Sequence, residues 1–208
     1  MARRFVLPKL VVATHNRGKA GEIATMLKPF GTQIVSAGEL GLPSPDETGT
    51  TFEANATIKA LAATRTSGLP VLADDSGLSV HALDDQPGVY TADWEGPTRD
   101  AMVGMKRIQD ELAKRGVPQT DAARGATFHC VLVLAWPDEH IELFHGTCDG
   151  AIVWPIRGTG GHGYDPCFQP LDQRGGGTRT TAEMSDAEKN AISHRGRAFR
   201  MMVEACFQ

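Results

Sequence analysis

Two adjacent carboxylates, Asp74 and Asp75, follow the apolar run Val71-Leu72-Ala73 and precede Ser76-Gly77-Leu78. The apolar run has strand character, and Ser-Gly reads as a turn. Side chains alternate faces along a strand, so only one of the two carboxylates can point into a given pocket. The other is left to hold the turn or to back the first. Carboxylates delivered at a strand end suit a hard cation such as Mg²⁺. They equally suit the capping of a turn or of a following helix. These residues alone leave both readings open.

Cations and glycines supply the next candidates. Thr14-His15-Asn16-Arg17-Gly18-Lys19 joins the short strand Leu10–Ala13 to a helical pattern at Ile23, Met26, Leu27 and Phe30. A strand, a polar glycine-containing turn and a helix start can aim backbone N–H groups at a phosphate. The turn lacks the Walker A pattern, and a plain connection is the alternative. Gly158-Thr159-Gly160-Gly161-His162-Gly163-Tyr164-Asp165-Pro166 permits close backbone approach to a ligand. Near the C-terminus, Lys189, His194 and Arg195 crowd a helix start or break. Basic side chains ordinarily favour a helix's last turn, so this crowding would welcome an anion.

Composition narrows the partners. The chain has 208 residues, 41% apolar and 22% charged, as expected of one globular domain with a substantial core. A net charge of −4 supplies no basic field for nucleic acid, so an anionic ligand must be met by local cations. Cys130, Cys148, Cys167 and Cys206 show no C-x-x-C spacing and favour a reducing, cytoplasmic setting over zinc or disulfides. No apolar stretch approaches the roughly 18 residues needed to cross a bilayer. Arg3 and Arg4 precede apolar residues without a cleavage pattern, so the N-terminus reads as mature protein.

The elements that must position these groups can be read in order. Gln33–Val35 is a weak strand, and residues 38–49 are loop. Thr50-x-x-Glu53 predicts a capping box opening a helix to about Thr66, with Phe52, Ala56, Ala60 and Ala63 buried. Asn55 and Lys59 lie one turn apart on one flank of it. Strands are expected over Leu78–Leu83 and Ala126–Trp136, with a turn at Asp84–Gly88 leading to Val89–Trp94. Ala126–Trp136 turns at Pro137-Asp138-Glu139 into His140–Thr147, with a third strand at Ala151–Trp154. A helix covers about Thr98–Arg115, with Ala101, Met105, Ile108 and Leu112 inward. Ser185-x-x-Glu188 opens the final helical region.

Five blocks now stand in order: Thr14-x-Asn16-x-x-Lys19, Thr51-Phe52-Glu53-x-Asn55-Ala56-x-x-Lys59-Ala60, Ala73–Leu78, Gly163–Pro166 and Ser193-His194-Arg195-Gly196. Together they resemble the inosine triphosphate pyrophosphatase family from Leu10 to Phe207. The resemblance implies hydrolysis of non-standard purine nucleoside triphosphates (dITP, ITP, XTP) to the monophosphate and pyrophosphate. It also implies an α/β fold, a long twisted mixed sheet with flanking helices forming one domain of two lobes around a substrate cleft. Mg²⁺ as cofactor, a homodimer and a cytoplasmic location are implied as well. Carried over by position, Asp75 binds the metal and accepts the proton, and Glu47 is the second metal ligand. Thr14, His15, Asn16, Arg17, Gly18, Lys19 and Lys59 hold the phosphates, and Ser76 touches the substrate. His162, Gly163, Tyr164, Asp165, Lys189, His194 and Arg195 line the nucleotide site. Asp74 then stands behind Asp75.

Selection of the base is a hydrogen-bond problem. Hypoxanthine and xanthine present a 6-keto oxygen and N1–H, whereas adenine presents an amino group and a bare N1. A pocket matched to the first leaves buried groups unpaired with the second. His194 and Arg195 are candidate donors, and Asp165 a candidate acceptor or orienter. The chain departs from the family in two places. His162 stands where an aromatic residue is common, and Asp93 where an Arg is common. Other readings are a pyrophosphatase of the same fold for other modified nucleotides, and a nucleotide sensor without turnover. An aspartyl-phosphate phosphatase would need D-x-D spacing, which Asp74-Asp75 lacks.

Overall fold

The computed structural model describes residues 2–14, 23–173 and 175–208. The phosphate-loop candidates His15, Asn16, Arg17, Gly18 and Lys19 lie outside them. Among the described residues the strands are β1 (Lys9–Val12), β2 (Gln33–Ser36), β3 (Val71–Val80), β4 (Gln86–Gly88), β5 (Gly125–Ala135), β6 (Ile141–Ile152) and β7 (Phe168–Pro170). They form one sheet in the order β2-β1-β3-β5-β6-β7, with β4 paired to β3 off that path. β1 pairs parallel with β2 and with β3, whereas β3–β4 and β6–β7 are antiparallel. The sheet is therefore mixed, as expected. Its helices are α1 (Phe52–Ser67), α2 (Thr91–Trp94), α3 (Ala101–Lys114), α4 (Asp186–Ile192) and α5 (His194–Met202), besides a short helix over residues 23–27.

The turn expected at Ser76-Gly77 does not form. β3 runs unbroken through Asp74, Asp75, Ser76 and Gly77. Val71 and Leu72 are held beside β1, and Leu78–Val80 are held beside β4. Ladder bonds at both ends keep the stretch between them extended, and pairing overrides the local preference of Ser-Gly. Residues 81–83, expected as strand, are helical, and residues 91–94 form a short helix. β6 continues to Ile152 and absorbs the start of the expected third strand. The cap of α1 is Thr51 rather than Thr50, its hydroxyl accepting from the Ala54 N–H at 3.1 Å.

The chain divides into two compact units. The first comprises Met1–Asp75, Val131–His145 and Ala198–Gln208; the second comprises Ser76–Cys130 and Gly146–Arg197. In the first, Val11, Ala37, Leu42, Ala63 and Val71 form a core cluster. The small residues Ala56, Ala60 and Ala63 face inward from α1. In the second, Leu78, Val80, Met105, Ile108, Leu112, Phe128 and Phe168 are among a larger cluster. Gly104 of α3 belongs to its packing: a Cβ there would collide with the Tyr164 ring. All four cysteines are free and buried, and burial pushes the Cys148 and Cys206 thiols up to about 11. No helix among the described residues is long and apolar enough to cross a membrane.

The short helix α4 depends on its start. Ser185 accepts from the Glu188 N–H, and Glu188 accepts in return from the Ser185 N–H at 2.9 Å. Arg179 donates to the same carboxylate at 2.8 Å. The Arg179 hydrogen bond, with those of Ser185, pulls the Glu188 carboxyl down to about 2. A depressed carboxyl stabilises the fold above its unfolded value, about 4.3, and loses that contribution as pH falls toward 2. Carboxyl-resolved NMR should place the Glu188 midpoint near 2, and Glu188→Gln should flatten the acid limb of the stability curve. A midpoint in the ordinary carboxylate range would refute the capping account.

Candidate active site

In the first unit, three of the anticipated residues meet. α1 presents Lys59 one turn beyond Asn55, and β3 presents Asp75. The Lys59 ammonium donates to Asp75 Oδ1 at 2.8 Å and lies 3.3 Å from Glu47 Oε1. The side chains of Lys59 and Asp75 are 14% and 12% exposed, that of Glu47 44%. Glu47 sits on the loop before α1. The Gly49 N–H, two residues on, donates to Asn55 Oδ1 at 2.8 Å, which pins that loop to the helix. Strand alternation sorts the acidic pair, with Asp75 buried and Asp74 only partly so.

Charge and burial compete within this cluster. Burial raises the Asp75 carboxyl against the lowering effect of Lys59, and Glu47 and Asp74 add to the rise. Burial alone would lower Lys59, but its hydrogen bond to Asp75 and the surrounding carboxylates raise it. Among the described residues, buried Asp75 Oδ2 has no hydrogen-bond partner. An acceptor left in that condition is costly and is ready for a cation or a proton. No group of three or more His, Cys, Asp or Glu suited to a metal occurs among the described residues. Mg²⁺ asks for less, because it is commonly held by one or two carboxylates together with substrate phosphates and water. Asp75 and Glu47 fit that requirement.

In the second unit, Asp165 is the hub. Its Oδ2 accepts from the His162 N–H and the Lys189 ammonium, both at 2.5 Å, and its Oδ1 accepts from the Thr181 hydroxyl at 2.8 Å. The carboxylate is only 4% exposed. Gly161, at φ +71°, has a backbone that favours glycine, and a Cβ there would strike Asp165 Oδ2. This glycine is therefore required by an internal contact. Arg195 donates to Ser76 Oγ at 3.3 Å, which joins two anticipated residues far apart in sequence. His194 stacks on Phe128 with ring centroids 4.8 Å apart. The break that frees His194 and Arg195 falls at Ser193, between α4 and α5.

Other anticipated residues are placed differently. Tyr164 is buried, and its hydroxyl donates to the Thr91 carbonyl at 2.9 Å. Its side chain anchors the core and leaves only the backbone for a ligand. The His162 ring is exposed, with Nδ1 2.6 Å from the Gly161 carbonyl. A carbonyl only accepts, so Nδ1 carries the proton in that contact. Gly163 is exposed, and Thr14 is buried just past β1. Asp93 lies 3.6 Å from Arg99 at the surface. Sequence reasoning missed Thr181 and Phe128. Phe128 lies in an ordinary strand pattern, and Thr181 is the second of two threonines, so neither carried a signal.

The mixed sheet and its flanking helices define an α/β protein. Comparison with known proteins narrows the class. The chain matches the Ham1 family over residues 10–205. It is 51% identical, across 100% of its own length and 99% of the relative's, to a Ruegeria pomeroyi protein named dITP/XTP pyrophosphatase. A protein of the same name from Agrobacterium fabrum is 50% identical over 99% of each chain. The solved HAM1 protein of Coxiella burnetii superposes with a TM-score of 0.87 at 34% identity, covering 95% of this chain and 98% of that one. The dITP/XTP pyrophosphatase structure from Mycobacterium abscessus gives 0.76 at 38% identity over 94% and 98%. This chain belongs to the Ham1 family.

The Lys59 cluster yields a stability test. Lys59→Met strips buried Asp75 of its counter-charge and should cost about 3 kcal/mol in urea denaturation. The double variant with Asp75→Asn should recover most of that loss, because the unpaired charge is gone. A single-variant cost below about 1 kcal/mol would mean the pair is effectively solvated.

Proposed function

We propose that this chain is a hydrolase that splits non-standard purine nucleoside triphosphates, dITP, ITP and XTP, into the nucleoside monophosphate and pyrophosphate. The observation that carries the reading is Asp75. It is held by Lys59 beside Glu47 with one buried oxygen unpaired among the described residues, in a chain half identical to full-length dITP/XTP pyrophosphatases. Asp75 accepts the proton of the attacking water. Its raised carboxyl suits that role, since a base works best when its pKa approaches the operating pH. Asp75 and Glu47 would hold Mg²⁺, which when bound supplies charge neutralisation and water activation. Lys59 keeps both carboxylates in place and offers its charge to the polyphosphate.

Thr14, His15, Asn16, Arg17, Gly18 and Lys19 are proposed as the phosphate-binding turn. A triphosphate carries roughly four negative charges, and phosphoryl transfer asks a protein mainly for positioning and neutralisation. Ser76, His162, Gly163, Lys189, His194 and Arg195 are assigned to the nucleotide. Arg195 and His194 supply donors for a 6-keto oxygen. The structure bears on the choice left open for Asp165: both of its oxygens already accept hydrogen bonds and it is nearly closed to solvent, so orienter is the role that fits. Rejection of adenine rests on donors left unpaired. A cytoplasmic homodimer forming one domain of two lobes completes the proposal. Four free buried thiols are compatible with a reducing compartment.

Purified protein should release pyrophosphate from dITP and XTP in a Mg²⁺-dependent manner, much faster than from ATP or modified pyrimidine triphosphates. Asp75→Asn should lower kcat by about 10²–10⁴-fold, the range expected for loss of a general base, without loss of the folded circular-dichroism spectrum. Near-normal turnover by that variant would remove Asp75 from the chemistry.

A further inference from the structure

Asp165 depends on a residue that no motif singles out. Thr181 is 4% exposed, and its hydroxyl reaches Asp165 Oδ1 at 2.8 Å and the Asp165 carbonyl at 3.1 Å. The turn that carries it is fixed from several directions. Thr180 donates its N–H to Glu183 Oε2 at 2.8 Å and its hydroxyl to the Arg157 carbonyl at 2.8 Å. The Gly160 N–H donates to the Ala182 carbonyl at 3.1 Å. Thr181 is thus a rigid post rather than a passing contact. It holds one carboxylate oxygen while the other receives the His162 N–H and the Lys189 ammonium.

We propose that Thr181 is a positioning residue for nucleotide recognition, acting through Asp165 to aim the Lys189 ammonium and the backbone of the His162 loop. This rests on the assignment of Lys189 and His162 to the nucleotide under the proposed function. Without the Thr181 hydroxyl, Asp165 Oδ1 becomes a buried acceptor short of a donor. The carboxylate then turns to find one, and the two groups bonded to Oδ2 turn with it. Neither group takes part in proton transfer to Asp75. Their displacement weakens substrate and transition state alike, which appears in KM and not in kcat.

The test compares the full-length wild type with Thr181→Val, which keeps the shape and loses the donor, and Thr181→Ser, which keeps the donor. Thr181→Val should raise KM for dITP about tenfold with kcat within about twofold, and Thr181→Ser should restore KM. Wild-type KM in Thr181→Val, an effect confined to kcat, or a loss that Ser fails to rescue overturns the proposal. Should Thr181→Val not fold, Thr181→Ala is read by the same split. If wild-type protein does not turn over dITP, the proposed function falls instead. The positioning claim is then decided by NMR. The His162 amide, in a short hydrogen bond, should resonate downfield and move in Thr181→Val but not in Thr181→Ser. An unmoved amide overturns it.

Discussion

The buried ammonium of Lys59 is the constraint on which the rest of the structure turns. Three carboxylates gather near it, and like charges at low exposure repel strongly unless a cation stands among them. Among the described residues, Lys59 pairs with both Asp75 and Glu47, and Asp75 Oδ2 has no hydrogen-bond partner. The arrangement is stable but unsaturated. Its position explains several remote features. The small inward face of α1, the Asn55 clamp on the loop of Glu47 and the unbroken course of β3 all fix the points between which the ammonium is held.

Asp165 obeys a different economy. It too pairs with a lysine, but it is also saturated by a backbone N–H and a threonine hydroxyl. A carboxylate in that state has little left to offer a ligand and much to offer the geometry around it. The two Asp–Lys pairs thus differ in how fully each carboxylate is already bonded. Among the described residues, Asp75 keeps one oxygen without a hydrogen-bond partner, and Asp165 has both oxygens bonded.

Much of this was legible in the chain itself. That Asp74 and Asp75 face opposite ways followed from strand periodicity, the choice of Asp75 as the inward one came with the family resemblance, and the break before His194 followed from misplaced basic charge. The α/β class and mixed sheet followed from the motif blocks. What failed was local turn propensity. Ser76-Gly77 reads as a bend, but its neighbours are clamped on one side to β1, far back in the sequence, and on the other to β4 just ahead. The hydrogen bond from the Tyr164 hydroxyl to the buried Thr91 carbonyl was likewise not legible in the sequence. Thr181 was invisible, as a hydroxyl's partner is a tertiary fact with no periodicity to announce it.

The burial of every sulfhydryl has a consequence beyond packing. Reaction with peroxide or alkylating agents requires thiolate at an accessible surface. Cys148 and Cys206 ionise only near 11, and Cys130 and Cys167 have no solvent exposure at all. At neutral pH the folded molecule offers electrophiles almost no cysteine thiolate. Oxidative conditions that damage free nucleotides should therefore leave it chemically untouched at these positions while it remains folded.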